Sequence, residues 1–138
     1  DLNQVYWISI SENIFSRRVY NNIGIKKYPL AWRSDAMLVF EFGLHSIEVT
    51  NESYVAIRRS NVQLTMDVTP KILELKRKAM SFFYNDLLEN YEIRFSKEER
   101  SEFSKKILYY TEKLGINQKK ILKRNLGLYN LIKFYLHK

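Results

Sequence analysis

A single, mostly α-helical domain of five to six helices is the fold that the sequence predicts, and three observations lead to it. Hydrophobic residues make up 46% of the 138 positions, with only four Gly and two Pro. That composition argues against disorder and against a turn-rich all-β fold. Apolar residues recur at helical spacing through most of the chain and are punctuated by cap sequences. A chain of this length buries roughly two-thirds of its unfolded surface, so one core over residues 1–138 suffices. There is no internal repeat and no low-complexity linker.

Within residues 3–22, Val5, Ile8, Phe15 and Val19 keep a helical spacing, although Tyr6-Trp7-Ile8-Ser9-Ile10 also suits a strand; a helix is expected. Asn21-Asn22-Ile23-Gly24 stops it, and Tyr28-Pro29 predicts an extended segment. Ser34 or Asp35 then caps a helix to about Ile47, with Met37, Phe40, Leu44 and Ile47 on its buried face. Thr50 opens another, closed by Arg58-Arg59-Ser60, where two cations complement the negative end of the helix dipole. Residues 61–68 are the best strand or loop candidate. Thr69-Pro70 is a cap followed by Pro at the first helical position; Ile72, Leu75, Ala79, Phe82 and Phe83 carry that helix to about Glu89, with Glu74 and Lys78 as an i,i+4 pair. Ser96-Lys97-Glu98-Glu99 is a capping box for a helix lined by Phe103, Ile107, Tyr110 and Leu114 and ended by Gly115. Asn117 caps the last helix, to about Leu136.

Charge is unevenly distributed. Residues 1–70 hold seven Lys/Arg against seven Asp/Glu, whereas residues 71–138 hold sixteen against eight, so the net +8 belongs to the second half. From Lys113 onward there are seven cations and no carboxylate. A polyanion is the expected partner, met by a folded helix, because Ile121, Leu122, Leu126, Leu128, Tyr129, Ile132 and Leu136 interleave the cations at helical spacing.

The absence of Cys excludes disulfides, thiolate catalysis and Cys-ligated metals, and fits a cytoplasmic protein. Two separated histidines, His45 and His137, do not make a zinc site, so no metal and no cofactor is expected. No apolar run is long enough for a membrane span and no leader pattern opens the chain, which is expected to be soluble and free of membrane partners. It opens without Met, which is expected of a chain that has lost an N-terminal extension.

No phosphate loop, nucleophile elbow or His/carboxylate cluster is present, so the chain is not expected to be an enzyme. Glu98, Glu99 and Glu102 lie where the helix dipole already explains them, and His45 suits a half-buried or helix-end position. Lys76-Arg77-Lys78 cannot all face one way at 100° per residue; a solvated face is the plain reading. Against it stand the many separate basic clusters, among them Arg17-Arg18, Lys26-Lys27, Arg33, Arg58-Arg59 and Lys105-Lys106, whose summed potential would hold a triphosphate or a template strand. Trp32 beside Arg33, and Tyr109-Tyr110 near Lys105-Lys106, could stack on bases, although aromatics at helical spacing more often fill a core. The Gly115 turn followed by Gln118–Arg124 also suits a helix-turn-helix, or any tight helical hairpin.

Several segments, taken in order, resemble the C-terminal domain of the archaeal and eukaryotic primase large subunit. Met37–Glu52 resembles that family's apolar helix and the Thr- or Ser-capped helix after it, with Glu48 where the family has Gly. Ile93-Arg94-Phe95-Ser96 through Phe134 resembles its last helical pair, and Tyr28-Pro29-Leu30-Ala31 its Phe-Pro-Pro-Cys or Phe-Pro-Leu-Cys segment, with Ala31 in place of the cluster-ligating Cys. Together these cover about half of the chain. The family carries an iron–sulfur cluster on four cysteines, so a chain without Cys is similar to its cluster-free relatives, the small third, non-catalytic subunits of some archaeal primases.

The resemblance implies an accessory role in DNA replication: binding the initiating nucleoside triphosphate and the single-stranded DNA template for RNA primer synthesis, with the primase catalytic and large subunits as partners. By position it nominates Arg33, His45, Arg58 and Arg59, and further along Lys76 and Arg77. A helix-turn-helix DNA-binding regulator reading with residues 118–124 and an architectural protein-interaction module are the alternatives.

Overall fold

A computed structural model describes residues 13–44 and 63–112. They form four α-helices and three short 3-10 turns in the order α1 (Arg17–Ile23), a turn at Pro29–Ala31, α2 (Ser34–Gly43), a turn at Leu64–Met66, α3 (Pro70–Tyr91), a turn at Glu92–Arg94 and α4 (Lys97–Glu112). No strand occurs among the described residues, and the fold is mostly α as expected. The helices expected from Thr50 and from Asn117 lie outside the described residues, so the count here is four where five to six were expected. No described helix is long and apolar enough to cross a membrane.

The expected ends hold where chain stereochemistry dictates them. Gly24 takes φ +72° after α1, a value that glycine adopts without a Cβ clash. Pro70 opens α3, whose 22 residues run to Tyr91, two beyond the expected end. At α4 the capping box closes both ways: Ser96 N donates to Glu99 Oε2 at 2.8 Å and Glu99 N to Ser96 Oγ at 3.2 Å.

Other boundaries depart from expectation. Asn13–Ser16 is not helical; Ser16 is extended at the head of α1. The residue capping α2 is Arg33, not Ser34 or Asp35, because Ser34 Oγ instead accepts from Tyr28 N at 3.5 Å and Asp35 Oδ1 from Ala36 N at 2.8 Å. Thr69 makes no side-chain cap; its N–H donates to Asp67 Oδ1 at 2.9 Å, which holds that carboxyl below its usual range. The described part of the 61–68 segment is the Leu64–Met66 turn with extended flanks, not a strand. Glu74 and Lys78 form no ion pair, while Lys105 pairs with Glu102 at 2.7 Å and Arg100 with Glu92 at 3.3 Å.

α3 is the spine. On one flank it packs along α4, where Leu88, Ile107 and Leu108 form a buried cluster. On the other it carries the Pro29–Ala31 turn and α2, through a cluster of Tyr28, Met37, Ala79 and Leu87 ringed by Trp32, Phe40, Phe83 and Tyr91. Each fully buried large side chain contributes roughly 1.5–3 kcal/mol. Tyr84 and Phe103 belong to both clusters and lie 5.5 Å apart, ring centre to ring centre. Phe95 extends the aromatic chain by stacking on Phe40 at 5.7 Å and meeting Phe103 edge-on at 4.9 Å.

Two phenols, one buried and one half-buried, tie the N-terminal layer to α3. Tyr28 OH donates to Asp86 Oδ2 and Tyr91 OH to Glu41 Oε1, each at 2.7 Å. Burial and the accepting carboxylate push the Tyr91 phenol up to about 12; Tyr28 is raised further, by burial first and then by Asp86. The α3–α4 seam also buries polar atoms at a cost: Ser81 Oγ, Ser104 Oγ and Asn85 Oδ1 have no hydrogen-bond partner among the described residues.

Candidate functional site

The strongest candidate lies where the Trp32–Arg33 arm meets the N-terminal half of α3. Three non-glycine residues in four take left-handed backbone: Leu30 at φ +58°, Ala31 at +53° and Arg33 at +70°. This reverses the chain after Pro29, where Ala31 N donates to Tyr28 O at 2.9 Å and Trp32 N to Pro29 O at 3.1 Å. Both side chains of the arm thereby fall on α3.

Arg33 is half-buried. Its Nε donates to Met80 Sδ at 3.3 Å, while its two terminal amino groups make no hydrogen bond to a described residue. The guanidinium is also close enough to Tyr84 and Tyr110 for its charge to oppose the upward push that burial gives both phenols. Those two rings are parallel within 9°, their centres 6.3 Å apart. Arg77 is half-buried one turn before Ser81 and two turns before Tyr84, and so shares their stripe of α3. A half-buried guanidinium whose terminal amino groups have no hydrogen-bond partner among the described residues, close to two phenols, is suited chemically to a phosphate.

Lys76 has a different employment. It is 8% exposed; its Nζ donates to Asp67 O at 2.7 Å and Thr65 O at 3.3 Å, and sits 4.7 Å from the centre of the Trp32 ring. Expected as a ligand contact, it instead clamps the Leu64–Met66 turn and the Trp32 ring to α3, because its ammonium is already enclosed by two carbonyls and a π face. Trp32 is correspondingly half-buried under that ammonium. Of the three consecutive cations, Lys76 is buried, Arg77 intermediate and Lys78 exposed, as 100° per residue requires.

The structure therefore brings Arg33, Lys76 and Arg77 to one region, while His45, Arg58 and Arg59 lie outside the described residues. Met80 and Tyr84 were missed by sequence reasoning; their one signal is that they follow Lys76 at i+4 and i+8 on the same helix. Among the described residues no group of His, Asp and Glu side chains is arranged to hold a metal ion. The chain matches no family model, no curated protein and no solved structure in the comparisons made with each.

Proposed function

We propose that this domain is a non-catalytic subunit of a DNA primase, holding the initiating nucleoside triphosphate and the template strand while a partner subunit performs nucleotidyl transfer. The observation that carries the reading is the half-buried Arg33 guanidinium, whose terminal amino groups have no hydrogen-bond partner among the described residues. Burying part of a cation without pairing its donors is costly unless an anion completes it. Arg77 on the adjoining stripe, and the net charge of +8, favour a polyphosphate or a nucleic-acid strand over a lone carboxylate. The resemblance to the primase large subunit supplies the reaction and adds His45, Arg58 and Arg59 to the contacts.

The test is nucleoside triphosphate binding by titration calorimetry, with Arg33→Ala and Arg77→Ala alongside wild type. Each lost bidentate phosphate contact is worth roughly 1.5–3 kcal/mol, so affinity falls about tenfold or more per arginine. Binding of single-stranded DNA weakens steeply with salt and shows little sequence preference. In the assembled primase, initiation suffers more than extension. Wild-type initiation by a primase carrying Arg33→Ala and Arg77→Ala removes this site. A strong preference for one duplex operator retained at high salt selects the helix-turn-helix regulator instead.

A further inference from the structure

We propose that the three left-handed residues Leu30, Ala31 and Arg33 form a strained mount that fixes the Arg33 guanidinium in place, making Ala31 a positioning residue for the phosphate site; the proposal rests on the nucleotide-binding reading above. Left-handed backbone disfavours any residue with a Cβ, and such strain persists only where the surroundings over-determine it. Here they do. Tyr28 is pinned ahead of the mount by its 2.7 Å bond to Asp86, and Trp32 and Arg33 at the mount's C-terminal end are held by Lys76 and Met80. Those anchor points on α3 span ten residues, about 15 Å of helix.

Glycine would make the same reversal without strain, yet no glycine lies between Gly24 and Gly43. At Arg33 the side chain is needed for its charge. Leu30 is half-buried and has apolar surface to hide. Ala31 has no such reason: it is exposed. What that methyl does is narrow the backbone freedom of residue 31. A rigid arm presents Arg33 already oriented, and binding then loses less entropy than it would with a loose one.

Ala31→Gly separates mount from scaffold, because the two roles move stability and affinity differently. Glycine relieves the left-handed clash while loosening the chain, and at a left-handed position the relief is the larger of the two effects on stability. The melting temperature is therefore expected to equal or exceed that of wild type, while affinity for ATP and for inorganic triphosphate falls about fivefold through lost preorganisation. The ¹⁵N order parameter of the Trp32 indole N–H drops in the free protein and recovers with triphosphate bound. Wild-type affinity in Ala31→Gly, with Arg33→Ala weakened, overturns the mount and leaves the phosphate site standing. A parallel fall in melting temperature and affinity also overturns it, since the methyl would then serve the fold. Wild-type affinity in Arg33→Ala overturns the nucleotide reading itself, and the mount with it.

Discussion

Replacing Lys76 with Met isolates what its ammonium contributes, because the thioether preserves the length and packing of the stem. The 2.7 Å bond to Asp67 O is charge-assisted and worth about 1.5–3 kcal/mol. The 3.3 Å bond to Thr65 O adds little, since Thr65 is exposed and water can take the place of the ammonium. The Trp32 ring, 4.7 Å away and partly shielded, adds about 1 kcal/mol. Relief from desolvating an ammonium that is 8% exposed offsets part of this sum, leaving a net destabilisation of about 1–3 kcal/mol. For a domain of this size that lowers the melting temperature by about 4–12 °C, read by circular dichroism with the urea midpoint as a second measure. A Lys76→Met protein that melts with wild type but no longer binds triphosphate would refute the reasoning, because the ammonium would then be free for ligand.

Stability falls as pH rises from about 10 towards 12. The Tyr28 and Tyr91 phenols are raised above the ordinary value of 10.0, so unfolded chains lose those protons first, and Tyr28→Phe with Tyr91→Phe flattens the slope of urea midpoint against pH. Ser104→Ala, at a position that is 0% exposed with an unpartnered hydroxyl, leaves stability unchanged or raises it by about 1 kcal/mol; a loss above about 1 kcal/mol would reveal a partner for that oxygen.

Helix starts and stops were legible where a single residue type decides them: Gly24 after α1, Pro70 at the head of α3, and the reciprocal pair Ser96 and Glu99 before α4. The apolar periodicity likewise placed Met37, Ala79 and Ile107 inward. What local pattern does not encode is competition for a side chain. Ser34 was the natural cap for α2, but tertiary folding brings the Tyr28 N–H to its hydroxyl, and the left-handed Arg33 takes the cap position. Lys76 read as a ligand contact because nothing in its sequence neighbourhood announces two carbonyls nine and eleven residues away. Arg33 was singled out for its charge. That its backbone would be left-handed carried no signal, since glycine is the usual mark of that conformation and is missing there.

The two phenol–carboxylate links have a consequence for the order in which the chain assembles. α3 and α4 meet across a short connection, Glu92–Ser96, so their contacts are local and close quickly. Tyr28 and Asp86 are 58 residues apart, and Glu41 and Tyr91 are 50 apart. Closing such loops costs about 2 kcal/mol more in chain entropy than closing the hairpin, so the N-terminal layer docks onto a hairpin already formed. Arg33 arrives with that layer, whereas Met80, Tyr84 and Tyr110 wait on the hairpin. On the proposed function, phosphate binding would wait for that docking step, and a chain halted at the hairpin stage would carry the charge without the grip.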